Sequence, residues 1–504
     1  MQLLISAGLI AAVVVWGLVS PSSLDQVFSA ALAGITRNFG WFYLWLVLGL
    51  VLLAFFLAFS RYGDLKLGDE DEEPEFSLAS WFAMLFAAGM GIGLVFWGVA
   101  EPISHYADPP PGIAPGTPEA ASAAMRYAFF HWGLHPWAIY GIVGLAIGFF
   151  SFRRQSLPLV SSVTEALPWQ VAKRLSPAFN VLAVVATAFG VAASPGMGAT
   201  QINSGLNAVF GLPVSPTAQS LIIVVTAVLF ISSAVTGVGR GVKWLSLGNL
   251  CLAAALALAV LVLGPTVAIV ETLTNTLGVY IAEFVRMSLR MSPFRTSSWV
   301  GDWTIFYWAW WLAWSPFVGL FIARVSRGRT IRQFLAGTVF APTLLGFVWF
   351  SVFGGAALNF EIFQSVPLAE AVKANASTAM FVMLDAMPGG GVMSVIATVL
   401  VFVFFVTSGD SATLVLGTMS TGGNPNPPAR VKIIWGVLVA AIALSLLLAG
   451  GLTAVQTATI VFALPFSVVL LLMAISVTIA IREDWKAEQQ RERALRRKMR
   501  ELLK

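Results

Sequence analysis

Three glycines at alternate positions, in the run Gly89-Met90-Gly91-Ile92-Gly93, interrupt an otherwise apolar stretch. That spacing suits neither a packed helix face nor a dinucleotide loop, so the run is expected to unwind its helix. Unwound backbone at mid-membrane depth is tolerated where it lines a cavity or is buried in protein, and its N–H and C=O groups can then hold a carboxylate or a cation. Taken alone, the run would serve equally for close helix packing through small residues. Two aromatic runs accompany it. His131-Trp132-Gly133-Leu134-His135-Pro136-Trp137-Ala138-Ile139-Tyr140 and Phe306-Tyr307-Trp308-Ala309-Trp310-Trp311-Leu312-Ala313-Trp314 hold six of the 18 tryptophans. Membrane tryptophan usually marks the interfaces, whereas Trp310, Trp311 and Trp314 fall well inside a span, with Trp310 and Trp314 on one helix face. Rings turned inward form a box for a quaternary ammonium group, which has no N–H to donate and is held by cation–π attraction of about 0.5–2 kcal/mol per ring. Core packing is the alternative for any single ring, and the preferred reading for Tyr307 and Trp308. A third run, Phe404-Phe405-Val406-Thr407-Ser408-Gly409-Asp410, sets two hydroxyls side by side as hard oxygen ligands for a cation.

Lipid must be the solvent of the elements that carry these residues. The chain has 504 residues, 58% of them hydrophobic and 11% charged, more apolar surface than one soluble core could bury. About twelve stretches approach the roughly 20 apolar residues that cross a bilayer as helix: 3–20, 41–60, 79–104, 124–151, 177–209, 217–236, 244–265, 298–323, 333–357, 391–416, 431–450 and 456–481. An even number puts both ends on one side. Lys and Arg concentrate in alternate loops (among them Arg61, Lys66, Arg153, Arg154, Arg327, Arg329 and Arg332) and in the tail, which makes that side cytoplasmic. The net charge of +5 thus reflects orientation and lipid contact, and no nucleic-acid partner is expected. Residues 1–20 resemble a signal-peptide core but lack a basic start and are long enough to span, so they are read as a retained helix. Cys251, the one cysteine, lies in an apolar span and is assigned no function.

The organisation follows as two leading spans (1–60), a group of five (79–265), an outer amphipathic segment (267–292), a second group of five (298–481) and a charged cytoplasmic tail helix (482–504). Because five is odd, the two groups would insert with opposite orientation, as in the inverted repeats of many secondary carriers. The segment 267–292 spaces Val270, Leu273, Leu277, Ile281, Phe284 and Met287 helically, which suits either a surface linker or a contact between subunits. Glu and Arg alternate along the tail, which could rest on anionic lipid or regulate in response to volume. Arg324 and Asp410, both predicted near the cytoplasmic face, are paired as an inner gate, and Glu101 is an outer-mouth candidate.

The segments GMGIGLVFWGVAEP, HWGLHPWAIY, FYWAWWLAWSPFVG and ARVSRGRT resemble, in order, the signature segments of the betaine/choline/carnitine transporter (BCCT) family, and the likeness extends from the second span to the twelfth. The resemblance implies an all-α polytopic membrane protein of twelve transmembrane helices with a five-plus-five inverted repeat of the LeuT-like kind, usually assembled as a homotrimer. It implies an aromatic box of Trp132, Trp137, Tyr140 and Trp311. Trp310, Trp314 and Phe306 would line the pathway toward the cytoplasm. Gly89, Met90, Gly91, Ile92 and Gly93 would contact the substrate carboxylate region. Choline carriers of the family commonly carry an acid where this chain has Gly93, which favours a zwitterion such as glycine betaine over choline. For a sodium ion the family pattern joins carbonyls of Ala87, Met90 and Phe404 to the hydroxyls of Thr407 and Ser408. A second site matches at Thr187, but its partner position is Val191.

The expectation is therefore uptake of a quaternary ammonium solute with sodium as coupling ion and no other cofactor, in a bacterial inner membrane with both termini cytoplasmic. Choline, carnitine, dimethylsulfoniopropionate and ectoine are alternative substrates. A membrane-embedded enzyme would need a metal site or nucleophile. His131 and His135 at i,i+4 could ligate a metal, but no Cys or Glu completes an HExxH-like set, and no GxxxxGK[ST] run supports ATP drive. A channel would need a polar pore, and an osmosensor without transport has only the tail in its favour.

Overall fold

The structure, a computed structural model, describes residues 2–503 except Met90, Val238, Arg295 and Thr296; at 86–89, 171–172, 239–244, 452 and 455 it describes the backbone alone. Among the described residues sixteen α-helices follow in order: α1 (Gln2–Val19), α2 (Pro21–Phe59), α3 (Leu78–Gly89), α4 (Ile92–Ala107), α5 (Pro118–Trp132), α6 (Leu134–Gly148), α7 (Gln170–Phe210), α8 (Pro216–Thr236), α9 (Gly239–Leu263), α10 (Thr266–Ser288), α11 (Phe306–Arg324), α12 (Ile331–Gln364), α13 (Leu368–Ala374), α14 (Ala379–Asp385), α15 (Gly390–Ser420) and α16 (Ala429–Leu502). Among the described residues the only extended pairing is a bridge between Lys66 and Thr330.

Among the described residues, eleven helical stretches are long and apolar enough to cross a membrane, with α5 and α6 counted together and α16 divided at its non-helical Gly450 and Gly451. The remaining predicted span is the pair α3 and α4, of 12 and 16 residues, each too short to cross alone. The protein is an all-α polytopic membrane protein.

Two features depart from the sequence expectation. Residues 21–40, read as an outer connection, are helical, so α2 runs for 39 residues. Pro21 opens the helix, where its missing N–H costs nothing. Leu24 and Phe28 bury one face, while Asp25, Gln26, Arg37 and Asn38 lower the hydropathy that a span search detects. The second departure is α13 and α14, each seven residues and too short for such a search, which fold back against α4.

At the centre α6 packs on α11, and α7 is flanked by α15 and α16. The amphipathic segment expected at 267–292 is α10, which lies on α5 and α12 through Ile269, Thr276, Tyr280 and Met287 and leaves Val270, Leu277 and Ile281 exposed. The two chain ends share a face. Gln2 Nε2 donates to the carbonyl of Met419 at 3.0 Å, and the first turns of the tail are held by loops that carry basic residues. There Arg154 pairs with Glu483 and Asp484 at 2.9 and 2.8 Å, Arg153 with Asp484 and Glu488 at 3.3 and 3.5 Å, and Arg61 lies 4.1 Å over Trp485.

Candidate aromatic solute site

Two breaks position the rings. The first separates α3 from α4, with Gly91 extended (φ −131°, ψ −171°) before Ile92 resumes the helix, so the glycine run does unwind. Met90 lies outside the described residues, as does the side chain of Ala87. The second break, at Gly133 between α5 and α6, interrupts what sequence spacing reads as one helix. On a continuous helix Trp132 and Trp137 would point about 140° apart. The break instead allows both to join one cluster with α11.

The cluster is a succession of nearly perpendicular rings. Trp132 meets Trp311 at 4.9 Å and 78°, Trp311 meets Tyr140 at 5.9 Å and 85°, and Tyr140 meets Trp137 at 5.6 Å and 80°. Along α11, Phe306 stacks on Trp310 at 5.7 Å, and Trp310 meets Trp314 edge-on at 6.4 Å. The break also frees carbonyls at the end of α5; that of His131 accepts the Trp311 indole N–H at 3.0 Å, which fixes the ring. Gly93 is where this packing is closest, since a Cβ there would stand 2.8 Å from Cη2 of Trp310 and 3.1 Å from Cη2 of Trp132. Any side chain at 93 must displace a ring.

Gly133 leaves as little room. An added Cβ would collide with the Phe129 carbonyl oxygen and stand 2.9 Å from Cε1 of Phe347. Gly133→Ala is therefore expected to cost about 1–3 kcal/mol, read as a lower midpoint in thermal unfolding of the detergent-solubilised protein.

Behind the rings lies a buried polar cluster that sequence reading did not assemble. Glu101, expected at an outer mouth, is wholly buried. Its Oε1 accepts from His131 Nδ1 at 2.7 Å and His105 Nε2 at 3.2 Å, and its Oε2 from the Trp132 indole at 2.7 Å and the Tyr307 hydroxyl at 2.6 Å. The other nitrogen of His131 bonds Thr304 at 3.0 Å. Ligand atoms of Glu101, His105 and His131 lie within 4.8 Å of one another, and the Glu101 contacts have the lengths of N–H···O bonds. His131 and His135 do not converge as an i,i+4 pair, because the break at Gly133 turns His135 toward Ser288, 2.9 Å away. Tyr307, read as packing alone, stacks on His131 at 4.6 Å and binds the carboxylate. The available signal was a carboxylate and an imidazole four residues apart inside an apolar span.

Toward the other end of α11 a cavity of about 130 Å³ is lined by Gly91, Trp314, Phe404, Thr407 and Ser408, among others. The unwound segment, the ring column and the paired hydroxyls thus meet at one cavity. The Thr407 hydroxyl donates to the Val403 carbonyl at 2.9 Å, which leaves its oxygen lone pairs available. Thr187 is buried, and its hydroxyl has no hydrogen-bond partner among the described residues. Arg324 and Asp410 are not paired in this conformation. Arg324 is exposed at the end of α11, and Asp410 accepts from Ser233 at 3.3 Å.

The family model described as BCCT, betaine/carnitine/choline family transporter, matches residues 2–486. The chain is 49% identical over 486 residues to the glycine betaine transporter OpuD of Bacillus subtilis, covering 95% of this chain and 94% of that protein. It is 43% identical over 490 residues to an ectoine/hydroxyectoine transporter of Virgibacillus pantothenticus, covering 97% and 98%. With the betaine/ectoine transporter LcoP of Corynebacterium glutamicum it shares 38% over 505 residues, covering 97% and 78%. With a family match over nearly its whole length and broken helices gathering aromatic rings around buried polar groups, this chain belongs to the betaine/carnitine/choline transporter family.

Proposed function

We propose that the protein takes up glycine betaine, a trimethylammonium zwitterion, together with sodium by alternating access. The observation that carries the substrate class is the run of perpendicular rings Trp132, Trp311, Tyr140 and Trp137. Such faces attract a cation that offers no hydrogen-bond donor. Gly91 to Gly93 would receive the carboxylate, and Phe306, Trp310 and Trp314 would line the way to the cytoplasm. Sodium would lie near Thr407, Ser408 and Phe404, with carbonyls of Ala87 and Met90 from the unwound segment. Thr187 alone speaks for a second ion. Arg324 and Asp410 would pair only in a state closed to the cytoplasm.

The orientation with both termini cytoplasmic in a bacterial inner membrane is supported by the shared face of the two ends and the basic loops beside it. A homotrimer is supported by the apolar residues that α10 leaves exposed, and anionic lipid would meet the tail beyond its anchored turns. The five-plus-five inverted repeat would supply the two rocking halves.

The test is uptake of radiolabelled glycine betaine into proteoliposomes with and without an inward sodium gradient. A tenfold gradient with about 100 mV supplies roughly 3.7 kcal/mol per ion, enough for accumulation of a few hundredfold with one ion. Accumulation that collapses without the gradient is expected. Ectoine is the second reading, favoured by the Virgibacillus relative, and ectoine uptake without betaine uptake would replace the first.

A further inference from the structure

The carboxylate of Glu101 is completely buried, and its ion-pair contacts among the described residues are with two histidines and with no Lys or Arg. Four donors, one each from His105, His131, Trp132 and Tyr307, approach its two oxygens. An ionised carboxylate offers about four lone-pair positions, so the set matches it in number. His131 can donate through Nδ1 and accept the Thr304 hydroxyl through Nε2, which is the neutral imidazole. His105 likewise donates through Nε2, and its Nδ1 has no partner. With both imidazoles in that neutral form, these dipoles hold the negative charge without cancelling it. Burying a carboxylate in this way is expensive, and a charge inside a membrane span marks a functional position.

What makes the charge useful is where its donors lie. Trp132 is a ring of the proposed box, and Tyr307 stacks parallel to Trp311 at 6.1 Å. The carboxylate thus stands one hydrogen bond behind the aromatic faces. An anion accepting the indole N–H also enriches the ring's electron density, and the ring's negative face is what attracts a cation.

We propose that Glu101 is the fixed counter-charge of the aromatic box, drawing a ligand's cationic head toward Trp132 and Trp311 and turning its anionic end away. The inference rests on the proposed reading of the box. In this chain the acid lies behind the rings on α4, where Gly93 leaves no room for one in front. Glu101 is a positioning residue, acting through the rings.

A charge felt across roughly 8 Å at an effective dielectric constant near 20 changes affinity by about tenfold or more. The test compares Glu101→Gln with the unmodified full-length protein in competition against radiolabelled glycine betaine. The competitors are betaine, choline and tert-butylacetate, in which carbon replaces the quaternary nitrogen of betaine. Glu101→Gln is expected to weaken betaine and choline by roughly tenfold and to lower the preference for betaine over tert-butylacetate by a similar factor. His105→Lys, which sets a cation against the intact carboxylate, should give the same split and keeps the test open if Glu101→Gln does not fold. Equal losses for all three ligands would overturn the idea in favour of a merely structural role, as would unchanged affinities. Failure of the unmodified protein to bind any trimethylammonium ligand would instead remove the proposed function, and the counter-charge with it.

Discussion

Trp311→Ala is expected to reduce glycine betaine uptake to below about a tenth of the unmodified rate at sub-saturating substrate. The ring contacts Trp132 and Tyr140, stacks on Trp310 at 4.9 Å and caps the His131 carbonyl. Its removal therefore takes away a cation–π face worth about 0.5–2 kcal/mol and a hydrogen bond at the end of α5. Truncating a buried tryptophan also costs about 3–5 kcal/mol of stability, so uptake alone could mislead. Trp311→Phe separates the effects, because it keeps an aromatic face and loses the N–H. Uptake half recovered by phenylalanine with an unchanged thermal midpoint would place the role in cation binding; equal loss in both variants would place it in the fold.

The second large effect should fall on sodium. Thr407→Val keeps the side-chain volume and removes an oxygen whose proton is already committed to the Val403 carbonyl. Ser408→Ala removes its neighbour on the same cavity wall. Each loss is expected to raise the half-saturating sodium concentration for betaine uptake by about tenfold, the equivalent of one ligand contact of about 1.4 kcal/mol. At saturating sodium the apparent affinity for betaine should recover. Uptake by both variants that follows sodium as in the unmodified protein would move the ion elsewhere, with Thr187 the next residue to examine.

The two helix breaks show why sequence reveals some of this site and hides the rest. Gly89, Gly91 and Gly93 weaken a helix three times within five residues, a local effect that sequence reports directly. Gly133 is a lone glycine, and the break after it also relies on Pro136, which has no N–H for the Trp132 carbonyl; that the residue at the break must be glycine is set by the approach of Phe129 and Phe347, which exists only after folding. Missing that break made His131 and His135 look like neighbours on one face and separated Trp132 from Trp137. Glu101 was visible as a charge in a span, but its partners come from α5, α11 and the turn holding Thr304, elements that no spacing rule connects. Span counting succeeded because lipid selects on length and apolarity. It failed at residues 21–40, where polar residues lie on a helix extending an apolar span. The Arg324–Asp410 pairing was inferred from a shared membrane depth, which says nothing about distance in the plane.

Among the described residues, the Tyr140 hydroxyl and the Trp310 indole N–H are buried without a hydrogen-bond partner. A buried donor left unmatched costs about 1–3 kcal/mol, so an acceptor that reached either one would be favoured by that order. Ring faces alone would treat tetramethylammonium and betaine alike, since both present the same methyl-covered cation. The two open donors break that equivalence. A ligand bearing an oxygen can complete them, whereas a bare ammonium must leave them stranded or carry water in with it. Under the proposed function, a preference for betaine over tetramethylammonium would then rest on these two donors.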